Sequence, residues 1–196
     1  MISRRRDDIL AASFAATRCL IDSDGHASVA ELAEAAGISR RTWHRYFPAK
    51  EDLLRPLLRD ATDMLLETLA TRDASEDVYA AFTAAFATAA GGMFAERTRE
   101  LMPIVFASPS LTAVLDSETL RTAPRLYPLL ARFLRRDVDD PTVVALATVL
   151  LALALSALRD AVGSESDASA LLTERVDALG LTQSTLPIPA GERRSS

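Results

Sequence analysis

Between Ala36 and Lys50 the chain carries Arg40, Arg41, His44, Arg45 and Lys50 and no carboxylate. Glu34 precedes this run and Glu51 follows it, in a chain of 196 residues whose formal net charge is -5. What such side chains offer is charge-assisted hydrogen bonding to an anion. Arg40 and Arg41 also fall in the first turn of a short helix, where the macrodipole disfavours cations by about 0.3–1 kcal/mol each. A run of arginines on a surface helix is often only a solvated face. The mismatch with the dipole argues for an anion outside the protein, and nucleic-acid phosphate is the leading candidate.

Other chemistries find little support. The two histidines, His26 and His44, lack the helical spacing to a second His, Cys or carboxylate that a metal site requires. No phosphate-binding Gly-rich loop, nucleophile elbow or dinucleotide fingerprint occurs, so neither a cofactor nor a catalytic constellation of acid, base and nucleophile is expected. A single cysteine, Cys19, excludes an internal disulfide and reads as a small buried apolar side chain. The start Met1-Ile2-Ser3-Arg4-Arg5-Arg6 is followed by Asp7-Asp8 in place of an apolar run, which fits the cytoplasm. Pro141 to Leu158 is uncharged and long enough to raise a membrane span. Its alanines, threonines and serine, closely bounded by charges, favour instead a helix buried in a core or an interface. No membrane partner is expected.

The elements that must position the cations are all helical. The chain is 49% apolar with few β-branched and aromatic residues, and its seven glycines are too few for an all-β fold. A first helix is predicted from about Arg4 to Asp22, ended by Asp24-Gly25. Ser28-Val29-Ala30-Glu31 reads as a capping box opening a second helix over Val29–Ala36. Gly37 supplies a left-handed turn residue, and Ser39 caps a third helix over Arg40–Phe47 that stops at Pro48. Trp43 is expected in the core. A fourth helix is predicted over Lys50–Thr71, kinked by Pro56. A fifth follows Ser75-Glu76-Asp77, with Val78, Phe82, Phe86, Ala89 and Met93 in one stripe, and Gly91-Gly92 interrupts its last turns. From Arg97 to Arg136 the prolines predict two or three kinked pieces. Asp140 caps and Pro141 opens a helix ending at Gly163, and a last helix runs over Ala168–Leu179.

Three short helices with a Gly turn between the second and third form a helix-turn-helix candidate. The string Ala30-Glu31-Leu32-Ala33-Glu34-Ala35-Ala36-Gly37-Ile38-Ser39, then Thr42-Trp43-His44-Arg45-Tyr46-Phe47-Pro48-Ala49-Lys50-Glu51-Asp52-Leu53-Leu54, closely resembles the TetR family of bacterial regulators over residues 8 to 55. The resemblance implies an all-α protein with three parts: a helix-turn-helix DNA-binding domain at 1–49, a larger helical ligand-binding and dimerisation domain at 50–180, and a disordered tail at 181–196. It implies that the third helix enters the major groove. Ser39, Arg40, Arg41 and Thr42 would then meet base edges, with one of the two arginines bidentate to guanine. His44, Arg45 and Tyr46 would touch phosphates and nearby bases, Lys50 the backbone, and Ser28 would bring an amide end to a phosphate. His44 departs from the family's Tyr or Phe, and Arg41 from its frequent Gly.

The remaining expectations also follow from that resemblance. Double-stranded DNA, a second copy of the chain and an unidentified small-molecule effector are the implied partners. Met64, Phe82, Phe86, Met93, Phe106 and Tyr127 would line the effector pocket. Ala145, Ala152, Ser156, Leu171, Val176 and Leu179 would form a four-helix dimer seam. An effector would tilt the fourth helix about Pro56 and change the separation of the two recognition helices, so releasing a repressor. Reversing a 99:1 population takes about 5.5 kcal/mol of preference for one state. An activator, or a helical small-molecule-binding protein that no longer uses DNA, are the alternatives.

Overall fold

The computed structural model describes residues 2–91, 95–164 and 166–181. Every regular element among them is helical: α1 (Ile2–Asp22), α2 (Val29–Ala35), α3 (Arg40–Tyr46), α4 (Leu54–Thr71), α5 (Val78–Ala90), α6 (Ala95–Ala107), α7 (Pro109–Leu134), α8 (Pro141–Ala161) and α9 (Ala168–Ala178). A 3-10 turn over Lys50–Leu53 leads into α4. Because of that turn Pro56 falls in the first turn of α4, where its missing N–H removes no helix bond, whereas a helix starting at Lys50 would have been kinked by it. Pro109 opens α7 at the only helix break in the proline-rich stretch. Pro124 and Pro128 lie inside α7 on exposed positions, so the stretch forms two helices, α6 and α7, within the two or three pieces the prolines predicted. α5 ends at Ala90. A Cβ on Gly91 would stand 2.6 Å from the Ala87 carbonyl oxygen, so only glycine fits there.

The chain divides into two compact units: residues 1–62 with 96–120, and residues 63–95 with 121–196. In the first, α1 packs on α2 and α2 on α3, around a core that includes Leu20, Leu32, Trp43, Phe47 and Leu53. α6 and the start of α7 belong to this unit. The Arg97 guanidinium lies 4.4 Å over the Phe14 ring, and Arg18 pairs with Glu100 at 2.9 Å. The second unit packs α5 and α8 against α9. Its core runs through Leu69, Phe82, Phe86, Leu130, Phe133, Leu150 and Leu172. Arg132 donates to the carbonyls of Leu69, Ala70 and Arg72, satisfying the acceptors that the C-terminus of α4 leaves open.

The first unit holds one buried carboxylate. Glu118 of α7, 6% exposed at its side chain, accepts hydrogen bonds from Arg55 at 2.7 Å and from Arg59 at 2.9 and 3.1 Å. Burial would push its carboxyl up, but the hydrogen bonds from Arg59 and Arg55 outweigh that and hold it below the ordinary glutamate value. A group with a lowered folded-state pKa contributes its full stability above the unfolded value, about 4.3 for Glu, and loses it as pH falls through the lowered value. Stability of the chain therefore falls as pH drops below about 4.3 and on through the lowered value. Denaturation midpoints measured across that range should drop less steeply for Glu118→Gln than for the parent; equal slopes would remove Glu118 from the account.

Candidate nucleic-acid interface

Short-range chemistry builds the α2–turn–α3 segment. Ser28 and Glu31 form a reciprocal capping box: the Glu31 amide donates to Ser28 Oγ at 3.3 Å, and the Ser28 amide to Glu31 Oε2 at 2.7 Å. The bond from the Ser28 hydroxyl, with its amide behind it, draws the Glu31 carboxyl below its ordinary value. The Ser28 amide is thus already given to an anion of the protein itself. α2 ends at Ala35 with Ala36 as its C-cap, and Gly37 turns the chain at φ +65, where a side chain rarely sits. The Ile38 amide returns to the Ala33 carbonyl at 3.0 Å. Ser39 then caps α3, its Oγ accepting from the Thr42 amide at 3.1 Å and donating to Thr42 Oγ1 at 3.1 Å.

α3 has two faces. Trp43 is 0% exposed, and its ring centroid lies 4.7 Å from that of Phe47, which is also buried. Opposite them Arg40, Arg41, His44 and Arg45 are exposed, while Thr42 and Tyr46 are half-buried at the margins. The four exposed positions fall at i, i+1, i+4 and i+5, which is one side of a helix. The Arg45 guanidinium stands 5.3 Å over the Tyr46 ring. Elsewhere arginines are matched with carboxylates, as in Arg18–Asp22, Arg55–Asp52, Arg125–Asp63 and Arg136–Asp140. Arg40, Arg41 and Arg45 have no carboxylate within ion-pair distance among the described residues. One side of a short helix thus faces water with its cationic charge uncompensated.

Lys50 lies at the edge of this surface and is half-buried. Its Nζ donates to the Gly25 carbonyl at 3.2 Å, which ties the 3-10 turn to the loop after α1 and leaves two ammonium hydrogens available. Cys19 is half-buried where its sequence setting suggests a buried side chain; burial, then the nearby Glu31, Asp22 and Glu34 carboxylates, push its thiol up. Glu118, Arg55 and Arg59 belong to no motif and do not stand out in the sequence. A signal for Glu118 was present: it continues the buried stripe Leu111, Val114, Leu115 as a lone carboxylate.

Most of the other candidate residues belong to the second unit. Phe82 and Phe86 are core residues of the second unit, Tyr127 packs partly buried against that core, and Met64 is half-buried. Phe106 belongs to the first unit, and Met93 lies outside the described residues, as does the expected tail beyond Leu181. On α8 the core takes Val143, Leu146, Ala147, Leu150, Ala154 and Ala157. The opposite face, with Val144, Ala145, Thr148, Val149, Ala152 and Ser156, stays exposed. On α9 Leu179 is exposed, Leu171 half-buried, and Val176 points into the core. No group of three or more metal-ligating side chains occurs among the described residues.

Residues 14–57 match the family model described as bacterial regulatory proteins, tetR family. Over 53 residues, 26% of this chain and 24% of the relative, the sequence is 49% identical to the HTH-type transcriptional regulator EthR of Mycobacterium tuberculosis (strain CDC 1551 / Oshkosh). The same figures hold for EthR of Mycobacterium bovis (strain ATCC BAA-935 / AF2122/97). The chain therefore aligns with about a quarter of the length of the curated relatives it matches. The fold is similar to that of the TetR family transcriptional regulator PfmR from Thermus thermophilus, with a TM-score of 0.51 and 20% identity over 87% of this chain and 96% of that one. At that identity the likeness is one of fold.

A Cβ at Gly37 would meet nothing within 4 Å, so the cost of a side chain there is conformational alone. Gly37→Ala should destabilise the chain by about 1–2 kcal/mol in chemical denaturation, and Gly37→Asn by less, since Asn tolerates the left-handed region. Equal stability of Gly37→Ala and the parent would mean that the turn relaxes.

Proposed function

We propose, from the match of residues 14–57 to the family model described as bacterial regulatory proteins, tetR family, that this chain is a DNA-binding transcriptional regulator. It acts as a homodimer in the cytoplasm and leaves its operator when a small molecule binds. The observation that carries the DNA reading is the outward face of α3. Arg40, Arg41, His44 and Arg45 stand opposite the buried Trp43, with no carboxylate among the described residues to neutralise the arginines. Fixed by Trp43 on one side, that face presents two adjacent guanidinium forks at the helix start, the end that a recognition helix turns to base edges. Ser39 and Thr42 flank them, and Lys50 keeps hydrogens for a phosphate.

Pairing follows from α8. Val144 and Val149 are 36% and 41% exposed on a face otherwise made of Ala145, Thr148, Ala152 and Ser156. Small side chains there let a second helix approach closely, and an apolar stripe of this kind is costly to leave in water. Leu179 extends the exposed apolar surface at the end of α9. Release by an effector rests on the family resemblance, with Met64 and Tyr127 as the partly buried candidates.

Selection from random duplexes at about 150 mM salt, where weak non-specific binding is suppressed, should enrich an inverted repeat. Arg40→Ala and Arg41→Ala should each cost about 1–3 kcal/mol of affinity for the enriched duplex and relax its sequence at one position. Failure to enrich any sequence with folded protein would sink the DNA reading. Val149→Asp should convert the dimer to a folded monomer in sedimentation, because the substituted residue is exposed within the chain. A dimer unaffected by it would place the seam elsewhere.

A further inference from the structure

A continuous chain of hydrogen bonds runs from Glu118 to the exit of α3. Glu118 Oε1 accepts from Arg55 Nη1 at 2.7 Å, while Arg55 Nε donates to Asp52 Oδ1 at 2.7 Å. Asp52 Oδ2 in turn accepts from the backbone amide of Ala49 at 2.9 Å. Ala49 lies between Pro48, where α3 has ended, and Lys50. Arg59 adds two more bonds to Glu118. Two guanidiniums and two carboxylates thus balance in charge at a half-buried place. The same turn is held from other sides as well: the Ser13 hydroxyl donates to the Leu53 carbonyl, Ser110 donates to Glu51 at 3.1 Å, and Lys50 donates to the Gly25 carbonyl at 3.2 Å.

The geometry assigns Glu118 a role as a positioning residue for the nucleic-acid face: we propose that its pairing with Arg55 and Arg59 sets the placement of residues 49–53, and through them of Lys50 and the end of α3. This rests on the DNA reading for its functional consequence and stands on its own as a statement about the turn. Three features point to positioning in place of general stability. The charge pair is selective for one place, because both arginines lie in the first two turns of α4 and one of them also braces Asp52. A neutral side chain at 118 would leave Asp52 as the one carboxylate paired with Arg55 among the described residues. And the partner comes from α7, whose first twelve residues belong to the same compact unit as α1 to α3, so whatever shifts that stretch of α7 reaches the turn directly.

The test uses the full chain with Glu118→Gln, which keeps the shape and removes the charge, and with Glu100→Gln as a control that removes the Arg18–Glu100 pair on α6. Amide hydrogen exchange without DNA should rise about tenfold or more over residues 49–54 in Glu118→Gln and stay unchanged over α5. Glu100→Gln should leave residues 49–54 as they are. Arg59→Gln, whose side chain is half exposed, should reproduce the effect in weaker form and serves if Glu118→Gln does not fold. Affinity for the duplex enriched by the parent should fall about 2- to 30-fold in Glu118→Gln. The slope of affinity against salt should stay the same, because no phosphate contact is removed. Exchange rising evenly along the chain, or not at all at 49–54, would reduce Glu118 to a structural charge pair. A salt slope that falls with the affinity would overturn the positioning role. If the parent enriches no duplex the DNA reading fails, while the exchange arm still decides whether Glu118 places the turn.

Discussion

α3 is seven residues long, and a helix of that length does not hold together in water by its own hydrogen bonds. Its existence depends on Trp43, which loses all its exposure and sets its ring against Phe47. Burying a side chain of that size contributes about 3 kcal/mol or more, several times what capping supplies. The same burial fixes the rotation of the helix about its axis. Once Trp43 and Phe47 point inward, Arg40, Arg41, His44 and Arg45 have no direction left except outward. The cationic face is thus a consequence of an apolar anchor on the other side.

Charge in the rest of the first unit is arranged differently. Arg18, Arg55 and Arg59 meet carboxylates, and the buried member of these sets, Glu118, is held ionised by two guanidiniums. Exposed pairs of this kind add little stability, whereas a buried carboxylate left alone is costly, so the pair at Glu118 constrains geometry more than the surface ones do. Against that background the unneutralised arginines of α3 stand out. A chain that is acidic overall keeps one short helix free of acid on both flanks of its exposed face.

In the second unit the constraint is apolar. α8 is long and apolar enough to meet the length and composition of a membrane span, yet six of its residues are packed in a core against neighbouring helices. The small and β-branched residues on its opposite side leave a face that is neither core nor polar. A helix on a protein surface normally places charge there. The proposed pairing of two chains rests on that departure from the pattern.

How much of this was legible depends on the range of the interaction. Capping boxes, N-caps and the left-handed glycine act within one helical turn, so Ser28 with Glu31, Ser39 with Thr42 and Gly37 could be read from residues three or four apart. Trp43 was legible as core because a tryptophan amid arginines has one apolar side to hide. Where the sequence pattern runs unbroken the structure made its own choice: the fourth helix begins with a 3-10 turn because Asp52 bonds back to the Ala49 amide and Lys50 reaches the Gly25 carbonyl. Val176 turned inward and Cys19 only half so, since helical periodicity says that residues share a face and not which neighbour covers it. The sequence by itself determined the helices, their caps and the identity of the cationic face. Only the tertiary structure decided that residues 96–120 join the first unit and that Glu118 meets Arg55 across 63 positions of chain, because a charge pair at that separation leaves no periodic trace in the sequence.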